Sequence, residues 1–557
     1  MRATLLILVL LVLPTLLPFF NPKFFYTQDH IFIARLNQIS TALSDGHFPV
    51  RWVPDLRYGE PLFNYYAPLP YYIGALIHLI GFNFIWVSKI LFILSTTLSA
   101  LTMYILAKEL FGKKGGYLAA ILYTYAPYRA VDTYVRGALS ETWAFVFIPL
   151  IFYFSLLLAK RGVSFLTIRK SLINISFLTL SLAGLFLTHN VTTLMFLPFL
   201  VLWWIYLLIF ETSGFFKRKA LVFLSLCIAT ILAFGLSAFF LLPANFERNF
   251  IQTKYLTVGY FNFRAHFVAF RQFFSLFWGY GSSLWGPVDG LSFQVGLVNW
   301  IVILLSAISG FTFRRNKKML TFFVFLILNF FLSLFLQHNK SAFIWEAIPL
   351  MAFIQFPWRF LTISIFIVSL IGGAITSKLN GKLSLIYFIL IIASLFFSLM
   401  YFKPKEYADD AFFDKFLNKE KMHQGIDLTK DYLPIWVKSV DKPLLNYPEA
   451  DEGIIQVENF NKKAARANSI ITVYKDSIID VPITYFPGWT ITANNKNISL
   501  EKPDQRGLIK FKLPKGDYSV GFEFRDTPVR ILGNTISLFS LLILFLLIVF
   551  KKGYKNV

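Results

Sequence analysis

The sequence predicts an all-α polytopic membrane protein of about twelve transmembrane helices, carrying a C-terminal extracytoplasmic β-sandwich domain. Three observations carry that expectation. Hydrophobic residues make up 56% of the chain and charged residues only 15%, too little polar surface for water to surround it. The apolar residues fall in blocks of about 17–25, the length that crosses a hydrocarbon core as a helix. Between residues 403 and 530 the blocks give way to alternating apolar and polar runs, the period of a half-buried strand.

Taken in order, the apolar blocks place membrane helices near 3–21, 86–107, 116–130, 142–159, 171–188, 191–210, 220–242, 293–311, 319–337, 358–377, 383–402 and 531–550. The first block follows Met1 and Arg2, and Pro14-Thr15-Leu16-Leu17-Pro18 offers no small-residue cleavage site. It reads as a retained signal anchor. With the N-terminus inside, the cytoplasmic segments become 1–4, 108–115, 160–170, 211–219, 312–318, 378–382 and 551–557. They hold twenty Lys and Arg residues against only Glu109 and Glu211. Positive charge marks the cytoplasmic side, and shifting the topology by one helix would put every cluster outside. The net charge of +23 is therefore a topological signal, and no nucleic-acid partner is expected. Pro68–Phe82 is apolar but short, and a crossing there would invert all later loops, so it reads as an interfacial or re-entrant helix.

This divides the chain into a membrane domain over 1–402, an outer β-rich domain over 403–530, and a final helix with a basic tail over 531–557. The outer loops of the first part are 22–85, 131–141, 243–292 and 338–357. Their mixture of aromatics, Pro, Gly, Arg and acids suits a structured cavity better than flexible linkers. In the β-rich part, Ser469–Tyr474 and Asp517–Phe524 alternate as strands, with turns at Pro487-Gly488 and Pro514-Lys515-Gly516. Cys227 is the single cysteine, so no intrachain disulfide is possible and the outer domain must be held by packing.

Candidate chemistry sits in the outer loops. Asp29 lies just beyond the first helix, where a carboxylate can act as general base toward an acceptor hydroxyl; equally, it can cap the helix that follows. Arg136 and Glu141 lie close to membrane helices, where charge is costly unless paired or functional. Arg136 can hold a phosphate through its guanidinium fork, and Glu141 can orient a sugar hydroxyl or position Asp29; alternatively the two pair with each other. His189-Asn190 sits at a tight outer turn, either lining a cavity or simply hydrogen-bonding the turn. The loop 243–292 interleaves Arg264, His266 and Arg271 with aromatics such as Trp278, suited to a phosphate headgroup and sugar faces or to an interfacial belt. Arg359 opens a membrane helix where it can snorkel or grip phosphate. There is no Walker loop, no H-E-x-x-H and no D-x-D, so no cofactor and no metal are expected.

These stretches resemble the GT-C superfamily of membrane glycosyltransferases: a first helix, an early acidic residue (Asp29), a juxtamembrane Pro-Leu-Pro-Tyr-Tyr helix and a helix ending at Leu106–Gly112. More closely the chain resembles bacterial YfhO-like proteins and the membrane family labelled 6-pyruvoyl-tetrahydropterin-synthase-related. Asp29-His30, Gly46–Trp52, Phe63–Tyr72, Arg136–Trp143, His189-Asn190, Gln355–Arg359, Tyr485–Trp489 and Asp526–Arg530 carry that likeness. The zinc-histidine cluster of true pterin synthases is missing. The resemblance implies an inverting transferase of the bacterial plasma membrane that takes a sugar from a polyprenyl-phosphate donor to a glycan, lipid or protein acceptor. It implies Asp29 as base with Glu141 beside it. It also implies Arg136, Arg264, Arg271 and Arg359 on the leaving phosphate, and His30, His189, Asn190 and Trp278 at the substrate. The alternative is a non-catalytic transporter or assembly factor for lipid-linked saccharides, although the inverted repeats common in transporters are not seen. A third reading is a structural membrane protein whose β domain binds glycans or a partner.

Overall fold

The structure is a computed structural model that describes residues 2–161, 168–214, 216–313, 316–377, 384–425, 432–439 and 444–549. The expected cytoplasmic segments 378–382 and 551–557 lie outside the described residues, as do parts of 160–170, 211–219 and 312–318.

Among the described residues, eight helices are long and apolar enough to cross a membrane: Ala3–Phe20, Phe84–Tyr125, Leu139–Lys160, Asn190–Glu211, Phe216–Leu236, Lys317–Gln337, Pro357–Thr376 and Pro528–Val549. Phe84–Tyr125 covers two of the expected segments, because Gly112 leaves helical geometry at φ +80°. The rings of Tyr104 and Tyr117 then meet at 4.9 Å, where a straight helix would separate them by about 20 Å. Shorter apolar helices occupy the expected segments 171–188, 293–311 and 383–402. Leu69–Leu79, with 11 residues, fills the segment expected to be interfacial.

Every residue of Leu361–Thr376 is buried, which makes this helix the post around which the bundle packs. Small residues let it approach its neighbours: Gly373 meets Gly115 backbone to backbone, as expected where helices pack without a hydrophobic drive between them. Pro528–Val549 is the opposite case. It exposes Leu538, Phe539, Leu541 and Phe545 along its outer side, an apolar surface that needs lipid to cover it.

Two expected outer or membrane segments are built differently. The loop 131–141 begins as a buried π-helix, Val131–Arg136, rather than a surface loop. The single helix expected over 220–242 breaks at Ser237 into Phe216–Leu236 and Ala238–Phe246. Backbone groups at that break find side-chain partners: Ser537 Oγ accepts from Phe239 N at 2.9 Å and Arg51 Nη1 donates to Phe239 O at 2.7 Å. Unpaired backbone is not tolerated at such depth, so the break depends on them.

The C-terminal domain corrects two expectations. It is one curled six-stranded sheet, ordered β1-β2-β6-β3-β4 with β5 also on β2, rather than two separate sheets. The strands are β1 (Glu449–Lys462), β2 (Arg466–Thr484), β3 (Trp489–Ala493), β4 (Lys496–Ile498), β5 (Leu508–Leu513) and β6 (Gly516–Phe524). The 19-residue β2 is the cause. Its first half pairs β6, its second half pairs β5, and β1 runs along its other edge with several register shifts. The sheet folds over so that Phe511 and Phe522 meet at 5.9 Å. The second correction concerns residues 403–425. They form helices Asp410–Leu417 and Lys419–Gly425, whose Phe413, Phe416 and Met422 join the core of the first outer loop.

The sheet's own core is completed from outside it. Trp52, Tyr65 and Ile251 lie in it with Trp489, Phe522 and Phe524. Trp52 stands edge-on to Trp489 at 5.5 Å. Beneath it lies a buried ionic clamp. Arg530 donates to Glu247 Oε2 through Nε at 3.0 Å and Nη2 at 2.9 Å, while Asn64 and Thr527 also donate to that carboxylate. Arg51 bonds Asp526 Oδ1 at 3.2 Å and Asn534 Oδ1 at 2.7 Å. First loop, third loop, sheet and last helix are tied at one point. Glu247→Ala should therefore destabilise the protein by about 3–5 kcal/mol, because Arg530 would be left buried and unpaired. Glu346→Ala, which breaks the half-exposed pair with Arg264, should cost at most about 1 kcal/mol. Thermal unfolding of both variants in detergent checks the difference.

Candidate active site

The segment after the first helix runs alongside the end of the π-helix. Gln28 N donates to Val135 O and Asp29 N to Arg136 O, each at 2.9 Å. Gly137 makes this approach possible. It sits in the left-handed region at φ +68°, and a Cβ there would stand 2.8 Å from Thr27 Cβ and 3.0 Å from Asp29 O. Asp29 does not cap the helix Ile31–Ser44, which has no side-chain cap bond. Its carboxylate is 42% exposed and faces Arg35 Nη1 at 3.6 Å.

On the inner side of this junction lies a buried charge cluster. Arg136 Nη1 donates to Glu141 Oε2 at 2.7 Å, to Asp132 Oδ1, and to Tyr128 Oη at 3.3 Å. Glu141 Oε1 accepts from Tyr128 Oη at 2.8 Å and from Thr362 Oγ1 at 3.1 Å. Arg136 lies over the Trp358 ring at 4.6 Å and Arg359 over Phe356 at 4.8 Å. The Arg359 Nε stands 4.0 Å from Glu141 Oε2. Arg129 is buried against Phe145 at 4.1 Å, with Nη2 donating to Ser99 Oγ at 2.8 Å. Asp132 and Arg136 are four residues apart, a spacing that sets two side chains on one helix face, and the left-handed turn at Gly137 that ends this segment returns the chain so that Glu141 joins them.

Several buried polar atoms of this cluster have no hydrogen-bond partner: Arg129 Nε and Nη1, Asp132 Oδ2, Trp358 Nε1 and Arg359 Nε. Three guanidiniums face two carboxylates, so the cluster holds an excess positive charge. No charged atom of Arg51, Glu247 or Arg530 in the ionic clamp is left unbonded. Buried polar groups are normally satisfied, and concentrated exceptions mark places where something polar is to be bound.

The expected site residues separate accordingly. Arg136, Glu141 and Arg359 come together, and His189 lies within electrostatic range of all three. Burial pushes the His189 ring down to about 3, against the pull of Glu141, so it is neutral at physiological pH. Its Nδ1 caps the helix Asn190–Tyr206 through Thr192. Glu141 is bonded to Arg136, Tyr128 and Thr362 and not to Asp29. Arg136 stands between the two acids, its side chain on Glu141 and its carbonyl on Asp29. With Nη1 shared by two carboxylates, Arg136 serves as hub of the cluster, and its side-chain hydrogen bonds run through that one nitrogen.

The remaining candidates lie elsewhere. His30 Nε2 accepts from Thr27 N at 2.9 Å, its ring edge-on to Phe412 at 4.9 Å; burial pushes it to about 4, so it holds the turn that carries Asp29. Asn190 is exposed and donates to Tyr65 O at 3.1 Å, tying its turn to the first loop. Arg264 pairs with Glu346 at 2.9 Å. Arg271 is exposed and pairs with no acid among the described residues. Trp278 stacks on Tyr401 at 4.8 Å. Tyr128, Arg129, Asp132, Trp358 and Thr362 complete the cluster without having been singled out as site residues. For all but Trp358 the signal in the sequence was charge or hydroxyl groups near the ends of apolar blocks, and Trp358 stood only within the stretch Gln355–Arg359. Among the described residues no group of three His, Cys, Asp or Glu is placed to hold a metal ion.

No family model matches the chain. An uncharacterized protein of Lactococcus lactis subsp. cremoris (strain MG1363) is 28% identical over 245 residues, which is 42% of this chain and 38% of that relative. The match thus spans well under half the relative's length. Among solved structures, the chain is similar to the arabinofuranosyltransferase AftD from Mycobacteria, at 13% identity over 74% of this chain and 28% of that one, with a TM-score of 0.48. It is similar to the apo oligosaccharyltransferase of Archaeoglobus fulgidus at 14% identity over 74% and 57%, with a TM-score of 0.48. It is also similar to ArnT from Cupriavidus metallidurans bound to undecaprenyl phosphate, at 13% identity over 68% and 78%, with a TM-score of 0.32.

Gly137→Ala should lower stability by about 1–3 kcal/mol through the strained left-handed position. It should also open the junction that holds Asp29. Hydrogen exchange at the Gln28 and Asp29 amides reports this directly: both should lose protection while the amides of Leu361–Thr376 keep theirs.

Proposed function

We propose that the chain is an integral membrane glycosyltransferase of the bacterial plasma membrane, with both termini cytoplasmic and the β-sheet domain outside. It transfers a sugar from a polyprenyl-phosphate donor to an extracytoplasmic glycan, lipid or protein acceptor, with inversion. The observation that carries this reading is one junction: a half-exposed carboxylate, Asp29, locked by backbone bonds to Arg136 of a buried cluster with excess positive charge and unmade N–H bonds.

The chemistry divides along that junction. On the open side, Asp29 takes the proton of the acceptor hydroxyl as its oxygen attacks the anomeric carbon. On the buried side, the bond from the anomeric carbon to the phosphate oxygen breaks, and polyprenyl phosphate leaves with the electron pair. The arginines stabilise the charge that develops there, and low polarity around them strengthens the effect. Arg359 and Arg129 have buried N–H groups that lack partners, and Arg136 spends only Nη1 on the carboxylates, so all three can meet phosphate. A single displacement from the face opposite the leaving phosphate inverts the anomeric centre. The donor arrives activated, so no nucleotide site is required.

Purified protein in lipid vesicles, offered a panel of polyprenyl-phosphate sugars, should release free polyprenyl phosphate. Asp29→Asn should lower that rate by about 10²–10⁴-fold with unfolding temperature unchanged. Equal turnover by the two proteins would remove Asp29 as the base. Donor binding without turnover by either would favour the transport or assembly reading.

A further inference from the structure

Arg35 lies on the helix Ile31–Ser44, only 5% exposed, with its guanidinium over the Tyr66 ring at 4.1 Å. Tyr66 is in turn set against Tyr71 at 5.7 Å and Tyr432 at 6.0 Å. The Tyr71 hydroxyl lies within hydrogen-bonding reach of the Arg35 guanidinium, yet its enclosed Nε and Nη1 make no hydrogen bond of ordinary geometry. Asp29 is the one carboxylate that pairs with it among the described residues, Nη1 to Oδ2 at 3.6 Å. An enclosed cation with unmade N–H bonds destabilises a fold unless a partner completes it. Shortening this gap to a charge-assisted hydrogen bond of about 2.8 Å takes a movement of less than about 1 Å.

We propose that Arg35 is the positioning residue for Asp29. Stacked on Tyr66, the guanidinium is held in one plane, engages Oδ2, and leaves Oδ1 to accept the acceptor's proton. Without it, a carboxylate this exposed turns freely into water. Asp29 is thus fixed twice, through its backbone by Arg136 and through its side chain by Arg35. The inference rests on Asp29 being the base, but the pairing itself is measurable without turnover.

Two readouts test it. In the transfer assay, Arg35→Met should lower kcat by about 10²-fold, the effect of misplacing a reacting group by about 1 Å. The KM for donor and acceptor should stay within about threefold, and Arg35→Lys should recover about tenfold of the loss, because a cation again lies over Tyr66. A kcat within threefold of wild type in Arg35→Met overturns the proposal. In the second readout, Asp29 is coupled to an amine with a water-soluble carbodiimide and quantified by peptide mass spectrometry. Losing the ion pair should raise its labelling several-fold in Arg35→Met, and Arg35→Lys should label at an intermediate level. Equal labelling in all three proteins overturns the pairing whatever the transfer assay gives. Raised labelling in Arg35→Met, with a wild-type protein that transfers no sugar, would uphold the pairing and overturn the catalytic role given to it. Should Arg35→Met fail to fold, Arg35→Lys and Tyr66→Leu carry the same comparison.

Discussion

A guanidinium inside an apolar bundle is stable only where carboxylates come with it, and Arg136 is where this chain meets that constraint. Its Nη1 holds Glu141 and Asp132, its face lies on Trp358, and its carbonyl receives Asp29 N. Two segments distant in sequence, those of Asp29 and Trp358, are therefore registered on one residue together with its near neighbours Asp132 and Glu141. The π-turn, the left-handed Gly137 and the buried Leu361–Thr376 helix all serve to bring those partners within reach.

The molecule handles its two buried ionic groups in opposite ways. Around Glu247 and Arg530 every charged atom is bonded, and the result is a fastening between sheet and bundle. Around Arg136 several donors and one acceptor are left over. Satisfied buried networks rigidify, whereas incomplete ones cost stability that evolution keeps only for a use. The first is a finished fastening and the second is left open, though both are made of the same residue types.

Much of the bundle was readable because lipid imposes a simple rule: apolar blocks of crossing length, separated by short basic loops. Even the reversal at Gly112 fell within an expected basic loop, 108–115. Strand alternation likewise revealed the β-rich region. What escaped were arrangements that depend on distant partners. Nothing local to Trp52 says that it fills a sheet whose strands begin at Glu449, and nothing local to β2 says that its halves pair different strands. Arg136 and Glu141 were legible as an important pair, since charge beside membrane helices is expensive. Asp132 stands four residues before Arg136, within reach by helical spacing, but that the whole segment is buried beside Glu141 was not legible locally. Arg264 and Arg271 looked equivalent to Arg359 by residue type, and only packing separates them.

The dependence of the sheet on Trp52 and Arg51 has a consequence for biogenesis. Arg51 and Asp526 are 475 positions apart, so the segment bearing Arg51 is made long before its partners exist. During that interval Trp52, Tyr65 and the segment bearing Asp29 lack their final cover, and such exposed surfaces are where misassembly begins. The face built from Arg51, Trp52 and the sheet is finished last and all at once, so synthesis interrupted before the helix Pro528–Val549 leaves it incomplete.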